Sequence, residues 1–242
     1  MAGKNQKTSS IWLDYREAAT RKLLCNISTA TMAGPYLWTA SDEGRTVECL
    51  EPHKDGFRLR QQIRLDDVFA SLPGRANHDE ADIEAISVSR GMLWICGSHS
   101  RVRRNRVDLT KVDPRFRSRP SRCLLGVVAL KRNGGGIAGP GAALPFRGIG
   151  SLRTILSANA YIAPFVNLPN KENGLEIEGL CVSGRRLFLG LRGPLVDSIA
   201  IAIELKATPQ AVGKHGKPIT HFLNLDGLGI RDLAVHGAEI IV

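Results

Sequence analysis

Four stretches of the chain share one alternation of apolar and polar positions. They read NISTATMAGPYLW (26–38), DIEAISVSRGMLW (82–94), EIEGLCVSGRRLF (176–188) and GIRDLAVHGAEII (229–241). In each, an isoleucine is followed ten residues later by an aliphatic residue: Ile27 by Leu37, Ile83 by Leu93, Ile177 by Leu187 and Ile230 by Ile240. Between the halves lies a glycine, Gly34, Gly91, Gly184 or Gly237. Short alternating runs joined at a glycine predict β-hairpins, because the tight turn needs a positive φ that glycine adopts without strain.

A second pair of strands follows the first. RTVECLEPH and FRLRQQIRL flank the Lys54-Asp55-Gly56 turn, which predicts four strands between 26 and 65. The third repeat continues through DSIAIAIEL (197–205) and HFLNL (221–225). For the second, RCLLGVVAL (122–130) and PFVNL (164–168) are the expected outer strands. Four-stranded antiparallel units recurring along a chain are the mark of a β-propeller. An irregular β-sandwich is the competing architecture, and the four matched hairpins favour the propeller. The expected fold is therefore all-β and β-propeller-like, with about three four-stranded blades plus the opening hairpin of a fourth, an incomplete ring. One domain covers 1–242, with 1–25 as an N-terminal segment. Residues 101–122 form a basic loop insertion, and 131–160 a Gly-rich insertion whose end, SLRTILSANA, is expected to be helical.

Composition fits this picture. The chain has 242 residues, 43% hydrophobic and 23% charged, which is ordinary for a globular protein and excludes wholesale disorder. No apolar run approaches the length of a membrane span, and MAGKNQKTSS lacks the apolar core of a secretory signal, so the expected location is cytoplasmic. Five cysteines, at 25, 49, 96, 123 and 181, sit among apolar neighbours with no C-x-x-C pair. They are expected as buried free thiols rather than a zinc or redox motif.

The charge is uneven. The chain carries a formal +10, and residues 101–122 hold nine basic and two acidic residues. With Pro114 and Pro120 and no clear alternation, that stretch reads as a long exposed loop. Arg101, Arg103, Arg104 and Arg106 are its candidate anion-binding residues, for a small anion, an acidic partner or nucleic acid. A solvated surface insertion explains the same residues. Only Phe116 is interleaved, so the stacking surface of a single-strand binder is missing.

The segments YLWTASDEG, EADIEAISV with MLWICGSHSRVRRNR, KENGLEIEGLCVSGRRLFLGLRGP and LDGLGIRDLAV resemble a bacterial propeller-like family, Domain of Unknown Function 3616. The resemblance runs from about residue 26 to 242. It implies a propeller-like fold and no established activity. Members of that family generally continue past the position of Val242, which implies a ring left open here.

Hairpin register points to one polar end. With Ser89 facing Met92, Glu84 falls opposite Gly97, beside Ser98 and His99. With Ser183 facing Arg186, Glu178 falls opposite Leu191, beside Arg192. The first hairpin then brings Ser28 near Asp42, and the fourth begins with Arg231 and Asp232. The first strand of each blade lines a propeller's axis, so these residues converge on one mouth of the channel. Asp42, Glu84 and Glu178 are candidate ligands for calcium or another divalent cation, as a metal-dependent hydrolase would need. His99 is a candidate acid or base, and Arg192 or Arg231 a partner for an anionic ligand. An ion-pair network holding blades in register accounts for the same set.

Weaker features are expected to be structural. The Gly134-Gly135-Gly136 run lacks the lysine and serine of a phosphate loop and is expected to be flexible. Trp38 and Trp94 hold equivalent places and are expected in the core. The apolar end, Ile240-Ile241-Val242, predicts an open strand edge that either pairs with the N-terminal SSIWLDY (9–15) or drives self-association.

Overall fold

The computed structural model describes residues 10–70, 72–74, 79–103, 116–207 and 217–242. β1 (Trp12–Asp14) and α1 (Arg21–Cys25) precede the first blade, β2 (Ile27–Ala33), β3 (Tyr36–Ser41), β4 (Thr46–His53) and β5 (Gly56–Arg64), which a short α2 (Leu65–Val68) closes. The second blade opens with β6 (Ile83–Ser89) and β7 (Met92–Gly97). A ribbon, β8 (Arg101–Arg103) and β9 (Phe116–Ser118), interrupts it before β10 (Leu125–Ala129) and β11 (Ala142–Ala143). After α3 (Leu152–Ser157) come the third blade, β12 (Glu176–Ser183), β13 (Arg186–Gly193), β14 (Ala200–Lys206) and β15 (Ile219–Leu223), and a hairpin of β16 (Ala234–His236) and β17 (Glu239–Ile241). The architecture is β-propeller-like, as the repeats predict: sheets of order β1-β5-β4-β3-β2, β11-β10-β7-β6 and β12-β13-β14-β15, then the two-stranded hairpin.

The four repeat glycines all have positive φ, +60° at Gly34, +71° at Gly91, +65° at Gly184 and +61° at Gly237. This is the backbone a tight hairpin demands. The first strands meet side by side, with β6 touching both β2 and β12. Packing between blades then buries both faces of the middle one. Trp38, Val47 and Ile63 of the first blade pack on Ile83, Leu93 and Val128. On the other side, Trp94, Leu125 and Val127 pack on Leu180, Leu189 and Ile203, with Leu152 and Leu156 of α3 closing the layer. Both tryptophans lie in the core as expected, and Trp38 Nε1 donates to Gly134 O at 3.0 Å. Truncating a buried aromatic of this kind costs about 3–5 kcal/mol.

The two outward faces of the stack have covers from the ends of the chain. Tyr15 and Leu23 pack on Leu50 over the first blade. Ile230 and Leu233 pack on Cys181 and Phe188 over the third.

Several expectations are corrected. Residues 164–168 are not a strand: Ile162 and Val166 bury at helical spacing through successive turns, and the outer strand of the second blade is β11. Residues 101–122 are not wholly loop, since β8 pairs antiparallel with β9 and Pro120–Arg122 forms a 3₁₀ turn. The N-terminal strand lies parallel to β5, with Trp12 opposite Gly56, and not beside the fourth hairpin. Cys25 is exposed at the end of α1, while the other four cysteines are buried and free. The glycine run is packed rather than flexible. A side chain on Gly134 would meet Ala33 O at 2.3 Å, and one on Gly135 the Tyr36 ring at 2.5 Å.

Candidate functional site

The inner hairpin of each of the three blades carries a β-bulge at the same place. The register shifts between Ile27 and Thr29, between Ile83 and Ala85, and between Ile177 and Gly179, leaving Ser28, Glu84 and Glu178 as the extra residues. The isoleucine, not the glutamate, therefore takes the cross-strand partner: Ile83 faces Gly97 and Ile177 faces Leu191. Constant pairing from the turn missed this because a bulge adds a residue to one strand only. Ser28 Oγ donates to Ile83 O at 2.6 Å, and Ile177 N to Ser98 O at 2.9 Å, so these strand ends stitch adjacent blades.

Carboxylates gather there. Burial pushes Glu84 up to about 8, and the neighbouring charges of Asp82, Glu178, Asp42 and Glu176 push the same way. Asp82 is raised to about 6 by burial, against the pull of Arg122 at 2.8 Å and the hydroxyl of Ser98, which donates to it. Asp42 is also raised, by burial and by Glu43. Arg192 Nη1 bridges Glu176 at 2.9 Å and Glu178 at 3.1 Å, and Arg231 Nε reaches Glu178 at 2.8 Å. Asp42, Asp82, Glu84, Glu176 and Glu178 thus meet three guanidiniums, and the mouth is acidic on balance.

Among the described residues, no three His, Cys, Asp or Glu side chains are placed to hold a metal ion together. The expected calcium set of Asp42, Glu84 and Glu178 does not assemble, because both oxygens of Glu178 are taken by Arg192 and Arg231. His99 is fully buried with φ +55°; its Nε2 donates to Leu124 O at 3.1 Å, and burial holds its pKa down at about 3. A ring so depressed is neutral at pH 7. Asp232 is exposed and accepts from Leu233 N at 2.7 Å.

A second feature adjoins His99. The β8–β9 ribbon, the loop before α3 and α3 itself enclose a cleft of about 550 Å³. Arg101, Arg147 and Arg153 line it, and among the described residues no acidic side chain does. Arg153 is anchored, its two terminal nitrogens donating to His99 O and Val166 O. Among the described residues, Arg101 and Arg147 have no carboxylate partner, and the buried Nε of Arg101 lacks any hydrogen-bond acceptor. Phe146, Pro120 and Val166 supply an apolar wall. Of the other basic-loop candidates, Arg103 pairs with Glu172, and Arg104 and Arg106 lie outside the described residues.

Reading the sequence missed Asp82, Glu176, Arg122, Arg147 and Arg153. Asp82 and Glu176 had a signal, since each directly precedes the isoleucine that opens its repeat. Arg147 and Arg153 had none, lying in the insertion where no repeat constrains the residues.

A family model described as protein of unknown function (DUF3616) matches residues 26–242. No curated protein matches the chain. Among solved structures, the PQQ-bound form of an aldose sugar dehydrogenase from Streptomyces coelicolor is similar at 12% identity and TM-score 0.35, over 74% of this chain and 42% of that one. The computationally designed Ika8 protein is similar at 9% identity and TM-score 0.34, over 94% and 57%. The chain thus spans about half the length of those two structures.

Proposed function

We propose a function for a chain that belongs to the DUF3616 family of proteins of unknown function. It is a β-propeller-type binding module that takes an anionic ligand in the arginine-lined cleft. One observation carries this reading: three arginines line a single cavity, and among the described residues no carboxylate lines it and two of the three have no carboxylate partner. Guanidinium forks match carboxylate and phosphate oxygens in pairs, and such charge-assisted bonds are the stronger kind. The channel mouth supports an anion less well, because its arginines are already neutralised by Asp82, Glu176 and Glu178. Its role in this reading is to lock the blades. A cytoplasmic location belongs to the same reading, supported by five free thiols with no disulfide among them.

Calorimetric titration with inorganic phosphate at low ionic strength tests the reading. Binding should weaken at least about tenfold when Arg101→Ala and Arg147→Ala are combined, the loss expected for charge-assisted hydrogen bonds. Phosphate binding that the double variant leaves unchanged places the anion elsewhere.

A further inference from the structure

The loop from Pro145 to Gly150, Pro-Phe-Arg-Gly-Ile-Gly, forms one rim of the cleft, with Phe146, Arg147 and Gly148 lining it. The next residue, Ile149, is 96% exposed, more than any other large apolar side chain described. It stands between Gly148 at φ +74° and Gly150 at φ +81°. A side chain on Gly148 would meet nothing within 4 Å, so crowding does not explain the glycine; the left-handed backbone does. The carbonyl of Gly148 is tied to the start of α3, accepting from Thr154 Oγ1 at 2.7 Å and Ser151 N at 3.1 Å. The loop therefore has a fixed foot, two glycines able to absorb a change of direction, and an apolar tip with nothing to cover.

We infer that this loop is a lid, and that the ligand of the cleft is a small phosphate monoester with an apolar body, its phosphate on Arg101 and Arg147 and its body between Phe146 and the closed Ile149. The inference rests on the anion-binding reading above and adds the ligand class. The volume of about 550 Å³ sits within the range of small-molecule sites, about 300–1,000 Å³. A phosphate monoester carries close to two negative charges at pH 7, matching Arg101 and Arg147, which have no carboxylate partner among the described residues. The apolar lining of Phe146, Pro120 and Val166 has no use for a bare inorganic ion. It gains from a ligand that brings its own apolar surface, and Ile149 gains from closing over it.

The probes are inorganic phosphate, phenyl phosphate and benzoate, each titrated calorimetrically into the 242-residue protein and its Ile149→Ser variant. Ile149 makes no core contact, so the variant should fold as the parent does, which circular dichroism checks. Phenyl phosphate should bind about tenfold tighter than inorganic phosphate, the scale of one buried ring, and about tenfold tighter than benzoate, the scale of a second charged contact. Ile149→Ser should remove most of the advantage of the ring and leave inorganic phosphate unaffected. Equal affinity for the two phosphates, or an Ile149→Ser variant identical to the parent, overturns the lid and the ligand class while leaving the anion site standing. Benzoate binding as tightly as phenyl phosphate overturns the phosphate assignment. Neither phosphate binding overturns both proposals together.

Discussion

Glu84 is the bulge residue of the second blade, and among the described residues no ion pair or hydrogen bond holds its carboxylate. Burial and four neighbouring carboxylates raise its pKa to about 8, so the folded protein keeps this proton at pH 7. The unfolded chain releases it near the ordinary glutamate value of about 4.3. Between those values the folded state binds more protons than the unfolded one, and stability falls as pH rises. Asp82, raised to about 6, adds a loss of the same sign over a lower range. Below both unfolded pKa values this stabilisation is fully present; above about pH 8 it is gone. Glu84→Gln keeps a neutral side chain of the same shape. It should raise Tm at pH 9 by on the order of 4 °C and change it little at pH 5, the scale of 1–2 kcal/mol in a domain this size. Melting curves from pH 5 to 9 decide it: parallel pH profiles for parent and variant would mean Glu84 is ionised in the fold. The same carboxylate explains why the mouth is assembled as it is. Arg192 and Arg231 neutralise the charge of the bulge residue Glu178, and a bulge is the device that turns the glutamate out of the ladder toward that meeting point.

At the scale of the element, the third blade is shaped to receive its cover. Gly179 on β12 and Gly190 on β13 lie under the segment that leads into β16. A side chain on Gly190 would stand 2.3 Å from Ile230 Cγ2, and one on Gly179 2.9 Å from Leu233 Cγ. Gly190→Ala should push Ile230 off the blade, strain the Arg231–Glu178 pair and cost about 1–3 kcal/mol, the usual range for overpacking. Chemical denaturation measures this, and a variant as stable as the parent would mean the cover is loosely seated. The sequence displayed these hairpins plainly, because a period-two alternation closed by a glycine turn depends on local residues alone. Three things escaped it for physical reasons. A bulge leaves no mark in an alternation, so the placement of Glu84 and Glu178 came out one residue off. Residues 164–168 look apolar enough for a strand, yet Ile162 and Val166 bury from turns that follow α3. The cleft is assembled from an insertion and a ribbon whose contacts are tertiary, so Arg147 and Arg153 were invisible while Arg101 was noticed for its charge.

For the whole molecule, the decisive feature is that the middle blade is buried on both faces while each outer blade has a short piece of chain for a neighbour. Stability in such a row is a sum over contacts between neighbours, as in any one-dimensional array. The covers contribute least: Tyr15 and Leu23 on one side, Ile230 and Leu233 on the other, against a dozen or more buried side chains at each inner seam. Disassembly should then proceed inward from the two ends, as a row of books loosens first where a thin bookend stands. Amide exchange would see this as a gradient, with β1 and β16–β17 exchanging fastest, β2–β5 and β12–β15 next, and β6, β7 and β10 last. Uniform exchange across all three blades would mean that the row melts as one unit.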